Sequence, residues 1–241
     1  MTKPFQSSTS EFFLTSASPC PYLPGRQERK IFTFLGGERA ETLNAVLSQR
    51  GFRRSQNIAY LPACDRCQAC RPVRVVATEF NTQKWRRTLN RNKDITRSAR
   101  APKSTSEQFS VLRGYLDARH GEGGMADMTV LDYSAMVEQT PVDTLLLEYR
   151  DADDTLLACA LTDRLQDGLS MVYSFFEPDA QTRSLGTYMI VDHILYAAEL
   201  GLPYVYLGYW VKGSGKMDYK ERFTPLEELT PEGWIMKSDE S

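Results

Sequence analysis

Three cysteines stand three apart, Cys64, Cys67 and Cys70, in the run YLPACDRCQACRPVR at 60–74. A fourth, Cys20, lies upstream in SPCPYLPGR at 18–26. Thiolates are soft ligands for zinc or an iron–sulfur cluster, and this loop with one remote cysteine supplies four. The same thiols would serve as small buried hydrophobes, or the loop as plain structure. Cys159 falls in an apolar strand-like run and reads as core. A second signal is charge. Residues 84–100 carry seven Lys/Arg against Asp94, a local +6. Arg86, Arg87, Arg91 and Lys93, with Trp85 among them, suit phosphate binding, or else form a solvated face. A third is the loop GYWVKGSGKMDYK at 208–220, hinged on glycine and rich in Lys and aromatics. It is not a P-loop, because Trp210 stands where the first glycine belongs and Met217 replaces Ser/Thr. It suits stacking on bases and holding phosphates, or is a hairpin with exposed lysines.

The two histidines, His120 and His193, have no Ser or Cys partner at readable spacing and read as structural. The chain has 241 residues, 41% hydrophobic and 25% charged, enough to bury a core without staples. No signal peptide or spanning segment is read, so a reducing cytoplasmic setting with free thiols and no membrane is expected. Net charge is −2, so the molecule as a whole is not a basic nucleic-acid binder; the local asymmetry is what a polyanion would meet.

These groups need a scaffold. Residues 38–50 read as a helix stopped by Gly51. Strand-like runs at 52–61 and 73–80 bracket the cysteine loop. Residues 107–120 form a helical face and 121–124 a glycine break. Runs at 144–149, 156–165 and 169–176 read as three strands, followed by a helix at 185–200 and a strand at 204–207. This mixed α/β order resembles the GCN5-related N-acyltransferase fold, with an N-terminal cysteine-loop subdomain at 1–100 and the acyltransferase-like domain at 101–241. In that fold a glycine motif at the helix start brings backbone amides to a pyrophosphate. Here Arg183 and Gly186 fit, but Tyr188 replaces a small residue, and its bulk is expected to block the approach of coenzyme A.

Taken in order, CPYLPGRQ (20–27), GFRRS (51–55), the cysteine loop through PVRV (72–75), RR-x3-RN (86–92), YSFFEP (173–178), SLG (184–186) and KMDYK (216–220) resemble the bacterial aspartate/glutamate leucyltransferases. These are relatives of the eukaryotic arginyl-tRNA–protein transferases. The resemblance implies an enzyme that moves leucine from leucyl-tRNA to an N-terminal Asp or Glu, marking the protein for N-degron degradation. Rivals are arginine as the transferred residue, or a coenzyme A-dependent N-acetyltransferase. Arg86, Arg87, Arg91, Arg183, Ser184, Gly186, Lys212, Lys216 and Lys220 then become expected contacts to the aminoacyl-tRNA. Arg26, Arg53, Arg71 and Arg74 become candidates for the acceptor carboxylate, whose geometry a guanidinium matches. Glu177 and Asp218 are candidate bases. No cofactor is needed for the transfer; a metal on Cys20, Cys64, Cys67 and Cys70 stays open.

Overall fold

The computed structural model describes residues 10–119 and 126–237. His120 and the glycine break fall outside them. A small N-terminal sheet is built from β1 (Phe13–Leu14), β4 (Lys30–Phe34), β5 (Arg53–Ser55) and β6 (Ile58–Pro62), in the order β1-β4-β6-β5. A short ribbon, β2 (Ser18–Pro19) and β3 (Gln27–Glu28), holds the loop that carries Arg26. Alternation puts Leu35 and Ala59 on one side, where they pack on Ala40 and Leu47 of α1 (Ala40–Gln49). The run expected as one strand at 52–61 is a hairpin, because Gln56 takes a left-handed turn with φ of 50°.

The large sheet has eight strands. They are β7 (Cys70–Val76), β8 (Thr96–Arg100), β9 (Thr144–Arg150), β10 (Leu156–Arg164), β11 (Gly168–Phe176), β12 (Tyr204–Val211), β13 (Leu226–Thr230) and β14 (Gly233–Met236). Their order is β14-β13-β7-β12-β11-β10-β9-β8. β9, β10 and β11 form an antiparallel meander. α5 (Leu185–Glu199) then crosses over to β12, which runs parallel to β11. The sheet takes strands from both sides of residue 100, so no boundary there divides it.

Each face of the sheet has its own cover. Ala158 and Ala160 of β10 pack with Leu147, Tyr149 and the α5 residues Met189, Val191 and Ile194. Their neighbours Cys159 and Leu161 point the other way, onto Leu112 and Leu116 of α3 (Ser106–Arg119) and Tyr133 and Val137 of α4 (Val130–Glu138). The apolar residues of β10, 156–161, are what two covered faces require. α2 (Arg86–Arg91), with Trp85 before it, lies on the α5 side. The small sheet is fastened to β10 by a buried bidentate pair, with Arg54 donating to both carboxylate oxygens of Asp163 at 2.6 Å. Breaking such a buried pair costs about 3–5 kcal/mol.

Candidate active site at the fork between β11 and β12

β11 and β12 pair only where Gly168–Ser170 meets Tyr204–Tyr206. Beyond that the strands part, and their inward carbonyls lose each other as partners. The Arg53 guanidinium enters the gap. Its Nη2 donates to Met171 O at 2.6 Å and to Val172 O at 3.2 Å, and its Nη1 to Leu207 O at 3.1 Å. Buried carbonyls need partners, and a charged donor serves them well. Gly208 makes the room: its φ is +75°, and a Cβ there would lie 1.4 Å from Arg53 Nη1. Arg53 is therefore a structural plug of the fork, not the acceptor-carboxylate ligand expected from sequence.

Two other expected ligands are also committed inward. Arg74 is buried, its Nε donating to Glu227 at 2.7 Å and its Nη1 to Tyr206 Oη at 3.0 Å, with the Tyr204 ring 3.5 Å from its guanidinium carbon. Lys220 is only 5% exposed and donates Nζ to Tyr209 O at 2.7 Å. Burial, reinforced by Arg53, pushes its ammonium pKa well below 10.5. It packs behind the fork, turned away from the surface. Arg71 is half-buried opposite Trp210, with no hydrogen-bond partner among the described residues.

Aromatic rings line the fork. Tyr209 donates its hydroxyl to Gly51 O and Tyr60 O, both at 3.1 Å, which ties β12 to the small sheet. Tyr22 lies near Tyr60 and Arg53, and its phenol is pushed up to about 12, mainly by burial. At the far end Tyr115 meets Phe176 edge-on at 5.0 Å, and a Cβ at Gly186 would come within 3.1 Å of the Phe176 ring.

One flank of the fork is basic. Arg86 and Arg87 are exposed on α2, and Arg91 donates to Thr182 O. Ser184 is exposed in the left-handed region, φ 53°, at the head of α5, whose first turn holds no acid. Its positive end is thus free for an anion. Arg183, expected as an anion ligand, is neutralised by a bidentate pair with Asp94 at 2.9 Å, which holds that carboxyl below its usual range. Tyr188 is buried against Tyr149 at 6.0 Å, so its bulk lies in the core and not across the approach to α5. Lys212 and Lys216 are exposed beside Gly213 in the loop after β12.

Glu177 follows β11, its Oε1 accepting weakly from Asp179 N at 3.4 Å. Asp218 holds Trp210 Nε1 through its backbone carbonyl at 3.2 Å, and its carboxylate has no hydrogen-bond partner among the described residues. Both acids therefore remain open to a substrate proton.

The cysteine loop lies on the other flank. Cys20 Sγ accepts from Leu23 N at 3.4 Å, Cys64 Sγ donates to Arg29 O at 3.7 Å, and Cys67 Sγ accepts from Arg26 Nη1 at 3.2 Å. Burial, together with the neighbouring Cys64, Cys20 and Cys67, pushes the Cys70 thiol up to about 12. The sulfurs are neighbours, and three of the four engage a hydrogen-bond partner of their own. No group of three or more His, Cys, Asp or Glu among the described residues is placed to hold a metal ion.

A three-strand meander, a crossover helix and a parallel strand that parts from its neighbour are the topology of the GCN5-related N-acyltransferase fold, here with a basic flank. Comparison with known proteins narrows this. Residues 18–88 match the family described as arginine-tRNA-protein transferase, N terminus, and residues 107–230 its C terminus. An aspartate/glutamate leucyltransferase of Nitrobacter hamburgensis is 60% identical over 94% of this chain and 92% of its own. One of Bradyrhizobium diazoefficiens is 58% identical over the same shares. Among solved structures, L-PGS from Bacillus licheniformis is similar with a TM-score of 0.44 at 13% identity, over 63% of this chain and 50% of that one. The chain belongs to the aminoacyl-tRNA–protein transferase family, on its aspartate/glutamate leucyltransferase branch.

Sequence reasoning missed Gly208 as the partner of Arg53, and the rings of Tyr60 and Tyr209. Their only signal is pairing across more than a hundred residues, which spacing does not reveal.

Proposed function

We propose that this enzyme carries leucine from leucyl-tRNA to the α-amine of a protein beginning with Asp or Glu, marking it for N-degron degradation in the cytoplasm, where charged tRNA is made. The observation that carries the reading is 60% identity to aspartate/glutamate leucyltransferases along 94% of the chain. The tRNA lies on the basic flank, against Arg86, Arg87, Arg91 and Lys216, with its 3′ end near the α5 terminus. The acceptor enters from the small-sheet side.

The amine nitrogen attacks the ester carbonyl, the ester C–O bond breaks, and the tRNA 3′-hydroxyl leaves as the amide forms. An α-amine has a pKa of roughly 7.7–8.0, so much of it is already neutral near neutral pH. Holding it against an activated ester supplies most of the acceleration, and fixed donors at the developing oxyanion add to it. Glu177 or Asp218 takes the proton lost by the amine and returns it to the departing 3′-oxygen, which leaves as the hydroxyl. The transfer uses no cofactor. Incubation with radiolabelled leucyl-tRNA and peptides beginning with Asp, Glu or Ala tests the reading. Label on Asp and Glu peptides but not Ala is expected. Transfer from arginyl-tRNA or acetyl-CoA instead refutes it. Full turnover by Glu177→Gln or Asp218→Asn removes that residue as the base.

A further inference from the structure

Beside the cysteine loop is an open cleft of about 260 Å³ lined by Ala17, Arg26, Gln27, Arg29, Asp65, Arg66 and Cys67. Three guanidinium groups face one carboxylate there. Each cation is set in place by the local chain. Arg26 is held by Cys67 Sγ at 3.2 Å, and that thiol is lowered by the Ala69 amide and by Arg26. The Arg29 backbone is stapled to the loop, its carbonyl accepting from Ala63 N at 2.8 Å and Cys64 Sγ at 3.7 Å. Arg66 sits at the turn between Cys64 and Cys67 with φ of 58°.

Arg29 Nε is buried with no hydrogen-bond partner. Asp65 is its nearest acid, at 3.8 Å, too far for a hydrogen bond. The side chain as a whole is 37% exposed at the cleft, so an arriving oxygen anion would give this unpartnered donor an acceptor. The cleft also has the right address. The cysteine loop runs into β7 at Cys70, which pairs with Val211 at the open end of β12. The small sheet and its ribbon cover the fork from the side away from α2, and Tyr22, four residues before Arg26, lies near Arg53 in the fork. A polyanion on the α2 flank and a small carboxylate in this cleft would approach the fork from opposite sides.

We propose that this cleft receives the side-chain carboxylate of the acceptor's first residue, with Arg29 and Arg66 as specificity-determining residues alongside Arg26. The proposal rests on the transferase reading above and names the part of the enzyme that recognises the acid. A guanidinium fork pairs bidentately with a carboxylate and has nothing comparable to offer a neutral amide. The cysteine loop thereby acts as the frame that sets the arginines.

The test compares wild type with Arg29→Gln, Arg29→Lys and Arg66→Gln, using leucyl-tRNA and two peptides that differ only in Asp or Asn at the first position. Transfer to the Asp peptide by wild type checks the transferase reading independently. Each Gln variant should lower kcat/KM for the Asp peptide roughly tenfold or more, the loss expected for a hydrogen bond to a charged group. The rate on the Asn peptide and the KM for leucyl-tRNA should stay unchanged, and Arg29→Lys should recover part of the loss. Equal losses on both peptides, a raised KM for leucyl-tRNA, or an intact Asp-over-Asn preference in both Gln variants overturns the proposal. Arg66 is exposed in a turn, so its variant keeps the test valid if the Arg29 variants fold poorly.

Discussion

Replacing Gly208 by alanine tests whether Arg53 keeps the fork open. The added Cβ would stand 1.4 Å from Arg53 Nη1, 2.4 Å from Cζ and 2.7 Å from Cδ, too close for any small adjustment. Two costs follow. Alanine in the left-handed region at φ +75° costs about 1–2 kcal/mol. Expelling the guanidinium strips three carbonyls of a charged donor. At about 1.5–3 kcal/mol for a hydrogen bond to a charged group, and with the three far from additive, that adds about 2–4 kcal/mol. The expected loss is about 3–6 kcal/mol, a large share of the roughly 5–15 kcal/mol that holds a domain together. Urea unfolding of the single variants and of the pair Gly208→Ala with Arg53→Ala makes a double-mutant cycle. With Arg53 already truncated, Gly208→Ala should cost only the backbone part, about 1–2 kcal/mol. A cost that is the same in both backgrounds would refute the seating of Arg53 against Gly208, and with it the account of the open fork.

Lys220 predicts a pH dependence. Its folded pKa lies well below 10.5, so between those values the unfolded chain binds a proton that the folded chain does not. Stability should then rise with pH toward 10.5 through this group, and Lys220→Met should abolish that part of the rise, read from urea midpoints across the alkaline range. Arg86→Ala and Arg87→Ala should each weaken leucyl-tRNA binding and shallow its log–log salt dependence by roughly one unit. An unchanged slope places tRNA elsewhere.

The acyltransferase core was legible because its signals are local. The strand-like runs at 144–149 and 156–165 and the helical period at 185–200 all lie within single elements, and they appear as β9, β10 and α5. α4 escaped notice although Thr129 and Asp132 form a capping box there, β13 is short and mostly polar, and β14 has only four residues. The site was harder. Arg53, Arg74, Arg183 and Lys220 were singled out as charges that could meet a substrate, and each proved to be spent inside the protein. Their partners explain why. Arg53 reaches Leu207 across 154 residues, Arg74 reaches Glu227 across 153, and Arg183 pairs with Asp94 across 89. Charge is visible in a sequence, but the group that neutralises it is a property of the fold. Arg86, Arg87 and Lys216, by contrast, stay exposed on the surface.

The place of β7 in the large sheet bears on how the chain is made. β7 ends at Val76, yet it lies between β12, which begins at Tyr204, and β13, which begins at Leu226. During synthesis the first half emerges with this apolar strand unpaired on both edges, and its neighbours follow only after more than a hundred further residues. Such non-local pairing slows folding and leaves an aggregation-prone edge in waiting. The nascent enzyme therefore depends on late-emerging segments to close its first-made half. A chain stopped before β12 would leave β7 with neither neighbour, and would be expected to lose the middle of the sheet and not one edge of it.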